Sequence, residues 1–530
     1  MPSPRARMQD VVLEEAGDDV PGAPADGNPG PGGPATRGSR GGRRRWWVAV
    51  AVLAVVAVAG TAQGDEPVPA LPPGVEGALA PVDRPLTELW RMPARSVSGL
   101  AVVDGLLVGA LVDAEGSADV VGLDPVSGAE AWRTRVLDGG PLTGRVRCVT
   151  PGAPADDPAG PDAGDGVPAP RVTACVVVDE LRPLDGFTRP GEQRPASVRL
   201  VIVDAADGSV LHDAAAPPTT TVAALGPDLV RSDVDDEGLL RVSRTDATAR
   251  TVRWSFTGPE PLPETRYGMR AWVTTRDDLV LAGGDTGWVL TADGAVVHTW
   301  RPRTDGAGWA EVVADGLLAQ PAPAQRVGPG GDQDGDEGGD RRDDRRDAQR
   351  VDRPAGDPDA DPESAVVEIV ELATGRTSGV QGLPVLTSVD DGSTPGLVLV
   401  RQRGESVAGY DGTTGRESWR IPDEATSAAL VVDGRVVLAG EDSLTALDAV
   451  TGERLWSTPV RRVSRVGPVT DGRLVLTGRP HPTDGMVLGA YGIDDGRLRW
   501  DTDVPNDVNR LRVADGRLFA LTPYELVALG

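Results

Sequence analysis

The chain has 530 residues, 39% of them hydrophobic and 25% charged, so it can bury a sizeable core in one large or two smaller domains. Its formal net charge of −27 excludes a nucleic-acid-binding surface outside the arginine-rich N-terminal tail, because an acidic surface repels phosphates. Two cysteines alone cannot build a tetrahedral zinc site, and the three histidines are far apart in sequence, so a metal site is not expected.

The first 62 residues have the composition of a membrane anchor. Residues 1–45 mix proline, glycine, alanine and charged residues without an apolar period, which is typical of a disordered tail. Residues 46–62 carry no charge and would span about 25 Å as a helix at ~1.5 Å per residue. Arginines 43–45 and the tryptophan pair that follows them favour a transmembrane helix with a cytoplasmic N-terminus, so the remainder is expected outside the cytoplasm.

A cleaved signal peptide is the alternative for this segment. Small residues at Ala57-Val58-Ala59 and Thr61-Ala62-Gln63 offer cleavage sites, but a leader of 45 residues before the apolar stretch is long for a signal peptide. We therefore expect a retained single-pass anchor. Residues 63–84, rich in proline and glycine, are predicted to form a stalk, and deleting residues 63–80 is expected to change stability very little.

Three similar units end the chain, and each opens with two apolar runs around an Asp-Gly pair. These pairs, which favour tight hairpins because glycine tolerates positive φ, are Asp433-Gly434, Asp471-Gly472 and Asp515-Gly516. A second turn follows in the pattern Asp-x-x-Thr-Gly, as from Asp448 to Gly452, where the Asp and Thr side chains can cap the backbone. Four residues after that glycine comes Trp456, which is predicted to pack between neighbouring sheets.

Weaker copies of the unit precede these three. Asp124–Trp132 and Asp411–Trp419 match closely, Asp246–Trp254 has Arg250 in place of the glycine, and Glu371–Gly375 keeps the turn without the aromatic residue. In two further copies His212 and His298 occupy the tryptophan position and are interpreted as packing substitutes. The tryptophans predicted to dock one repeat on the next are Trp90, Trp132, Trp254, Trp419, Trp456 and Trp500.

One copy of ~35–45 residues is predicted to be a four-stranded antiparallel sheet that cannot bury both faces alone, so the sheets stack around an axis. The D-x-x-T-G-x-x-x-W pattern resembles the quinoprotein (PQQ-like) β-propeller repeat, and the layout is similar to the barrel-assembly lipoprotein scaffold of Gram-negative outer membranes. The resemblance covers about residues 86–530 and implies an all-β propeller over residues 85–530. Propellers of this family commonly have eight blades; the copies number eight or nine, and we expect eight.

The last unit stops at Gly530, before its turn and its tryptophan strand. The stretch Leu86–Arg91 contains Trp90 and resembles the missing strand. Pairing of the two chain ends in one sheet would close the ring and remove its exposed edges.

Two hydrophilic insertions interrupt the repeats, at residues 151–170 and 327–362, and both are predicted to be disordered. Cys148 and Cys175 flank the first insertion and suggest a disulfide at the base of a hairpin in an exported protein, with two free buried thiols as the alternative.

The second insertion contains twelve acidic residues and six arginines. Its Asp332–Asp336 stretch faintly resembles a calcium loop, but Glu337 stands where glycine is needed and Asp343 where a bidentate glutamate is needed. A solvated loop is therefore expected.

The repeat resemblance raises one enzyme class, the quinone (PQQ)-dependent dehydrogenases. Those enzymes resemble this chain in blade design but need a stacking tryptophan, calcium-binding acids, a catalytic aspartate and often adjacent cysteines, and no such motifs map onto this chain. His481 is isolated, so no nucleophile triad emerges. We expect no catalytic, cofactor or metal site. The expected function is a non-catalytic binding or scaffold module for an envelope protein or ligand.

Overall fold

The computed structural model describes residues 71, 75, 77–139, 146–152, 171–183, 193–262, 271–284, 286–301, 310–314, 316–322, 366–402, 406–422, 426, 428–440, 442–461, 467–481, 485–505 and 507–530. The predicted tail and transmembrane helix, the insertion at 327–362 and all but two residues of the insertion at 151–170 lie outside these ranges. Within them, no helix is both long and apolar enough to cross a bilayer.

Thirty-seven strands form nine sheets in the described ranges, here called blades 1 to 9 in chain order. The first strand, β1 (Glu88–Pro93), belongs to blade 9. Blades 1 to 3 are β2 (Ser96–Val103), β3 (Leu106–Val112), β4 (Ala118–Leu123) and β5 (Glu130–Leu137); β6 (Val146–Val149), β7 (Val172–Pro183), β8 (Gln193–Asp204) and β9 (Val210–Ala216); and β10 (Thr221–Leu225), β11 (Asp228–Val234), β12 (Leu239–Thr245) and β13 (Val252–Pro261).

Blades 4 and 5 are β14 (Trp272–Arg276), β15 (Leu279–Gly283), β16 (Gly287–Thr291) and β17 (Val296–Trp300); and β18 (Glu311–Ala314), β19 (Leu317–Pro321), β20 (Val366–Glu371) and β21 (Arg376–Gln381). Blade 6 contains β22 (Leu383–Pro384), and the next strand, β23 (Leu386–Asp390), joins blade 7. Blade 6 continues with β24 (Leu397–Gln402), β25 (Ser406–Asp411) and β26 (Arg416–Pro422).

Blade 7 adds β27 (Ala428–Val432), β28 (Arg435–Ala439), β29 (Ser443–Asp448) and β30 (Arg454–Pro459) to β23. Blade 8 is β31 (Val469–Thr470), β32 (Leu474–Pro480), β33 (Met486–Gly492) and β34 (Leu498–Val504). Blade 9 is β35 (Arg510–Ala514), β36 (Arg517–Leu521), β37 (Glu525–Leu529) and β1.

The blade count is nine, so the expectation of eight blades is wrong. Each repeat copy forms its own sheet, including the copy around Glu371–Gly375 that lacks the aromatic residue. In that blade, β19 and β20 pair directly across the long insertion, with Leu318 opposite Val370. The hydrogen bonds between strands depend on the apolar strand segments rather than on the tryptophan. A repeat that lacks the tryptophan therefore still forms a complete blade. The prediction of an all-β propeller of four-stranded antiparallel sheets is confirmed.

The hydrophobic core is divided among the junctions between blades. Nine clusters of buried apolar side chains occur in the described residues, one at each junction, including the junction of blade 9 with blade 1. Every residue of β4 and of β33 is buried, because the middle strands are covered on both faces. The outer strand β30 instead alternates between exposed and half-buried residues. The blades therefore form a closed ring.

The ring closes where the sequence predicted it. Strand β1 pairs antiparallel with β37, from Glu88 opposite Leu529 to Pro93 opposite Glu525. The Thr87 amide donates to the Gly530 carbonyl at 2.9 Å, and the Gly530 amide donates back at 3.0 Å. The closure prediction is confirmed, because β1 supplies the fourth strand of blade 9 and covers the edge of β37.

Two of the three predicted Asp-Gly hairpins have the expected backbone. Asp433-Gly434 has φ values of 50° and 68°, and Asp515-Gly516 has 48° and 69°, as a two-residue hairpin requires. Asp471 differs, since it is fully buried and outside the positive-φ region. Its carboxylate accepts from the amides of Arg473, Leu474 and Val82 at 2.7 to 2.9 Å, which widens this turn.

The described part of the predicted stalk packs against the propeller. Leu79 and Val82 are only 5% and 9% exposed and belong to the core between blades 8 and 9. The amide of Leu79 donates to the Thr470 carbonyl and that of Ala80 to the Gly516 carbonyl, both at 2.8 Å. This corrects the expectation of a free stalk up to residue 84. Its few apolar residues reach the core, although the composition around them is that of a linker.

Candidate functional site

The repeat tryptophans contact the turn of the following blade. The Trp132 Nε1–H donates to the Ala205 carbonyl at 3.1 Å, and its ring covers Gly208, where a Cβ atom would lie 2.5 Å from the ring. Both contact residues come from the corresponding turn of blade 2, Asp204–Gly208, in which Asp207 replaces the threonine. The glycine of one repeat therefore makes room for the tryptophan of the repeat before it, a requirement that reading one repeat at a time misses.

Four more tryptophans make the same contact with the next blade. Their Nε1–H groups donate to backbone carbonyls at 2.8 to 3.1 Å, from Trp90 to Pro125, Trp254 to Ala292, Trp419 to Ala449 and Trp456 to Ile493. Blade 4 has His298 in this position, and its Nε2 lies 3.1 Å from Gln320 Oε1 of blade 5. The contribution of these side chains to stability stays a prediction.

Trp500 departs from the pattern. It faces blade 9, in which the two chain ends replace the turn between the third and fourth strands. Its Nε1 is buried with no hydrogen-bond partner, whereas Thr502 Oγ1 donates to the Leu86 carbonyl at 2.8 Å. The closing blade thus keeps the packing of the repeat and lacks one polar contact.

The two cysteines lie opposite each other on β6 and β7, and the structure places their sulfur atoms 2.03 Å apart. Both side chains are buried in the core between blades 1 and 2, away from any cavity considered below. This placement suits a structural rather than a catalytic pair. We keep the disulfide as a prediction for chemical mapping.

A polar cavity lies between the innermost strands of the blades and has a volume of about 760 Å³. Blades 4 to 6, 8 and 9 contribute to its wall, together with β23 and with Val75 and Gly77 of the N-terminal segment. The turn residues Asp277 and Asp391 also line it. The cavity is therefore at the end of the ring that carries the turns between the first and second strands of each blade.

Strand β23 forms part of the wall of this cavity. The chain pairs with β24 only through Leu383 and Pro384, then crosses to blade 7, where β23 runs parallel to β27. Ser388 Oγ donates to the Pro468 carbonyl at 3.0 Å, and the Asp433 amide donates to Asp391 Oδ2 at 2.7 Å. In the described residues the other edge of β23 pairs with no strand. Gly77 of the N-terminal segment lies against the Ser388 carbonyl in the middle of β23.

Two arginines line the cavity from opposite blades. Arg276 Nη1 donates to the Val312 carbonyl of blade 5 at 2.7 Å. It also faces Glu311, whose pKa is raised by burial against the opposing effect of Arg276. Arg512 of blade 9 makes no ion pair or hydrogen bond within the described ranges, and burial followed by the charge of Arg510 lowers its pKa. Arg512 is nonetheless an exposed cation in the wall of the cavity.

The cavity does not suit a quinone cofactor. Its lining residues include no aromatic ring on which a quinone could stack, and the cysteines are not adjacent and lie in blade 2. Nowhere in the described part of the chain do three His, Cys, Asp or Glu side chains stand close enough to hold a metal ion. We derive no reaction through such a group.

Comparisons with known proteins support the repeat. A family model described as outer membrane protein assembly factor BamB, of PQQ-like repeats, matches residues 363–465 and 444–528. These residues therefore resemble the PQQ-like repeats of BamB, as the sequence predicted. The serine/threonine-protein kinase AfsK of Streptomyces griseus is 29% identical over 123 residues, which are 21% of this chain and 14% of the kinase.

Two solved structures are similar over most of the chain. BamB from Moraxella catarrhalis has 15% identity and a TM-score of 0.39, covering 84% of this chain and 99% of that one. The computationally designed Ika8 protein has 13% identity and a TM-score of 0.37, covering 86% and 99%. Neither likeness bears on what the chain binds.

Proposed function

We propose that the chain is a single-pass membrane protein whose extracytoplasmic propeller is a non-catalytic binding or scaffold module for an envelope protein or ligand. The observation that carries the binding role is the polar cavity of about 760 Å³, which is lined by the innermost strands and turns of several blades. Rigid blades hold this lining in place, which is how propellers and other repeat folds present binding surfaces.

Sequence features support the membrane anchor and its orientation. The uncharged residues 46–62 follow arginines 43–45, and cationic residues favour the cytoplasmic side of a membrane segment. The matched family model is named for outer membrane protein assembly, which makes an envelope protein a reasonable partner class.

The experiment is affinity purification of the full chain from crosslinked membranes, with residues 1–66 alone as the control. A partner retained in constant ratio by the full chain and absent from the control is the expected result. Recovery of the same partner with residues 1–66 alone would place binding outside the propeller. Dye reduction by the purified chain after addition of quinone and calcium would instead favour the dehydrogenase alternative.

A further inference from the structure

The large apolar side chains that remain exposed are concentrated at one end of the ring. The turn between the first and second strands of a blade and the turn between its third and fourth strands lie at the same end, as the pairing of Arg435 with Asp448 shows in blade 7. Nine of the twelve exposed large apolar residues in the described ranges lie in the second of these turns or among the first two residues of the fourth strand. We call these nine the apolar rim: Leu89, Val126, Val210, Val252, Val296, Val297, Val450, Leu455 and Leu498. The other three, Val366, Leu386 and Tyr524, lie at the opposite end.

The fold does not require apolar residues in the rim. The first residue of the fourth strand is valine in blades 2, 3 and 4, but it is Glu130 in blade 1 and Arg416 in blade 6. Single exposed apolar residues are common on protein surfaces, so the grouping is the informative feature. The rim residues belong to blades 7, 8, 9, 1, 2, 3 and 4, which follow one another around the closed ring. They therefore form one arc over seven neighbouring blades.

The N-terminal segment is bound at the same end of the ring. The Leu71 amide donates to the Asp471 carbonyl at 3.1 Å, and the Ala80 amide donates to the Gly516 carbonyl at 2.8 Å. Asp471 and Gly516 are in the turns between the first and second strands of blades 8 and 9, which are inside the arc of the rim. The chain that leaves the predicted transmembrane helix therefore enters the propeller at the end that carries the apolar rim.

The length of chain before Leu71 limits how the propeller can face a membrane. From Ala62, where the predicted helix ends, the chain can extend at most ~32 Å to Leu71 at ~3.6 Å per residue. A path around the outside to the opposite end of the ring would cross one blade, about 15 Å at ~4.8 Å between strands, and then follow its strands for ~20 Å. That path is longer than the tether, so the end that carries the rim is the one held closest to the bilayer.

We propose that the apolar rim contacts the lipid bilayer, so that the propeller lies with this end on the membrane surface. This inference rests on the proposed membrane anchor and names the surface that the domain uses. Valine and leucine side chains gain by leaving water for the interfacial region of the lipid, and the anchor keeps them close enough for individually weak contacts to act together. The net charge of −27 favours apolar over electrostatic attachment, because anionic headgroups repel an acidic domain.

The test uses the full chain in phosphatidylcholine vesicles, with a fluorophore on one introduced cysteine and a nitroxide quencher on the lipid acyl chains. Val450→Cys and Tyr524→Cys are a matched pair, because both native side chains are 72% exposed and they lie at opposite ends of the ring. Cys148 and Cys175 are buried and escape the label. The lipid quencher should remove about half of the fluorescence at Val450→Cys, since a rim side chain lies at the depth of the upper acyl chains, and almost none at Tyr524→Cys.

A second set of variants tests the apolar nature of the contact. Leu455→Ser together with Leu498→Ser should reduce the quenching at Val450→Cys about twofold, because less apolar surface is left to enter the lipid. Val366→Ser together with Leu386→Ser, at the opposite end, should leave it unchanged. Raising the salt concentration should also leave it unchanged, since salt does not screen apolar contacts.

Three results would overturn the proposal: equal quenching at both probes, no quenching at either, or quenching that salt removes. Absence of quenching in vesicles that contain this chain alone would instead make the rim a surface for another protein. The same vesicles separate this inference from the proposed anchor. If alkaline carbonate releases the chain from the vesicles, the anchor itself fails; if the chain is retained and the Val450→Cys probe is not quenched, the anchor stands and only the rim contact is wrong.

Discussion

At the scale of single residues, the glycine that ends the repeat turn faces the indole of the preceding blade in five blades. Gly452 of blade 7 would place a Cβ atom 2.5 Å from Trp419, while Gly434 of the same blade has open space around it. Their φ values are almost equal, 69° and 68°. The two positions thus separate backbone strain from steric overlap.

Replacing each glycine by alanine tests this contact. Both variants share the cost of a left-handed residue, about 1–2 kcal/mol. Gly452→Ala should lose a further ~1–3 kcal/mol, because the new methyl group displaces the Trp419 ring. Denaturant midpoints of the two variants measure the difference. Equal midpoints would show that the glycine serves only the turn.

The hydrogen bond of the indole can be isolated by a second pair of variants. Trp456→Phe removes the donor to the Ile493 carbonyl, whereas Trp500→Phe removes an Nε1 that has no acceptor. Both lose similar ring area. Trp456→Phe should therefore be less stable than Trp500→Phe by about 1 kcal/mol, the cost of leaving a carbonyl unpaired. Thermal melting of both variants checks the order, and a larger loss for Trp500→Phe would contradict it.

The predicted Cys148–Cys175 bridge is tested by peptide mapping without reductant. The crosslinked pair is expected, and its reduction should lower stability by ~3 kcal/mol in the chain-entropy model. Rapid alkylation of both thiols in the unreduced protein would show that they are free. A Cys148→Ser/Cys175→Ser chain serves as the control for the reductant itself.

At the scale of strands, the ring depends on a segment of the chain that precedes the first blade. An ectodomain beginning at Pro67 keeps every described contact, one beginning at Val82 loses buried Leu79, and one beginning at Val97 also loses β1. Burial of a leucine side chain contributes about 1.5–3 kcal/mol. Loss of β1 removes Trp90 and leaves the edge of β37 unpaired, which costs more.

The melting temperature should therefore fall in the order Pro67, Val82, Val97, with the larger step at the second truncation. Differential scanning calorimetry of the three ectodomains measures both steps. If the ectodomains beginning at Val82 and Val97 melted together, β1 would not be holding the ring closed.

Some of the strand pairing could be predicted from the sequence, and some could not. Closure by Leu86–Arg91 was predictable because the last unit lacks one strand and that segment carries the repeat tryptophan. The course of β23 was not, since a strand that leaves its own blade has the same apolar pattern as one that stays. Arg512 was missed for a similar reason, because its place in the cavity wall is a property of the assembled ring. The copies numbered eight or nine in the sequence, and the eight blades common in this family favoured the lower count.

At the scale of the whole molecule, the aspartates of the repeat turns couple stability to pH. Hydrogen bonds from Thr451 lower the pKa of Asp448, and those from Thr413 and Thr414 lower that of Asp411. Burial would raise the pKa of Asp246, but hydrogen bonds from Thr251, Arg250 and Thr248 outweigh it and hold the pKa at about 2. These carboxylates are thus more acidic folded than the ~3.9 of an unfolded aspartate.

A carboxylate whose pKa is lower in the folded state stabilises the protein at pH values above its unfolded pKa. This stabilisation is lost as the pH falls through the folded pKa. The melting temperature should therefore drop between about pH 4 and pH 2. Melting curves across that range measure the drop. An Asp246→Asn variant should show a smaller slope there, and a slope equal to that of the parent chain would exclude Asp246 as a contributor.

The orientation of the whole chain is tested by a reporter fused after Gly530. The arginines at 43–45 predict that this end is outside the cytoplasm. Alkaline phosphatase, which needs an oxidising compartment, should be active there. A reporter active only in the cytoplasm would reverse the proposed topology.

The closing contacts join Thr87 to Gly530, residues 443 positions apart. A ribosome makes Thr87 long before Gly530, so strand β1 must wait for its partner until the other eight blades have been synthesised. Contacts so distant in sequence form slowly. During that interval the nascent domain is an open arc with two unsatisfied ends. A truncated chain that lacked β37 would stay in that open state.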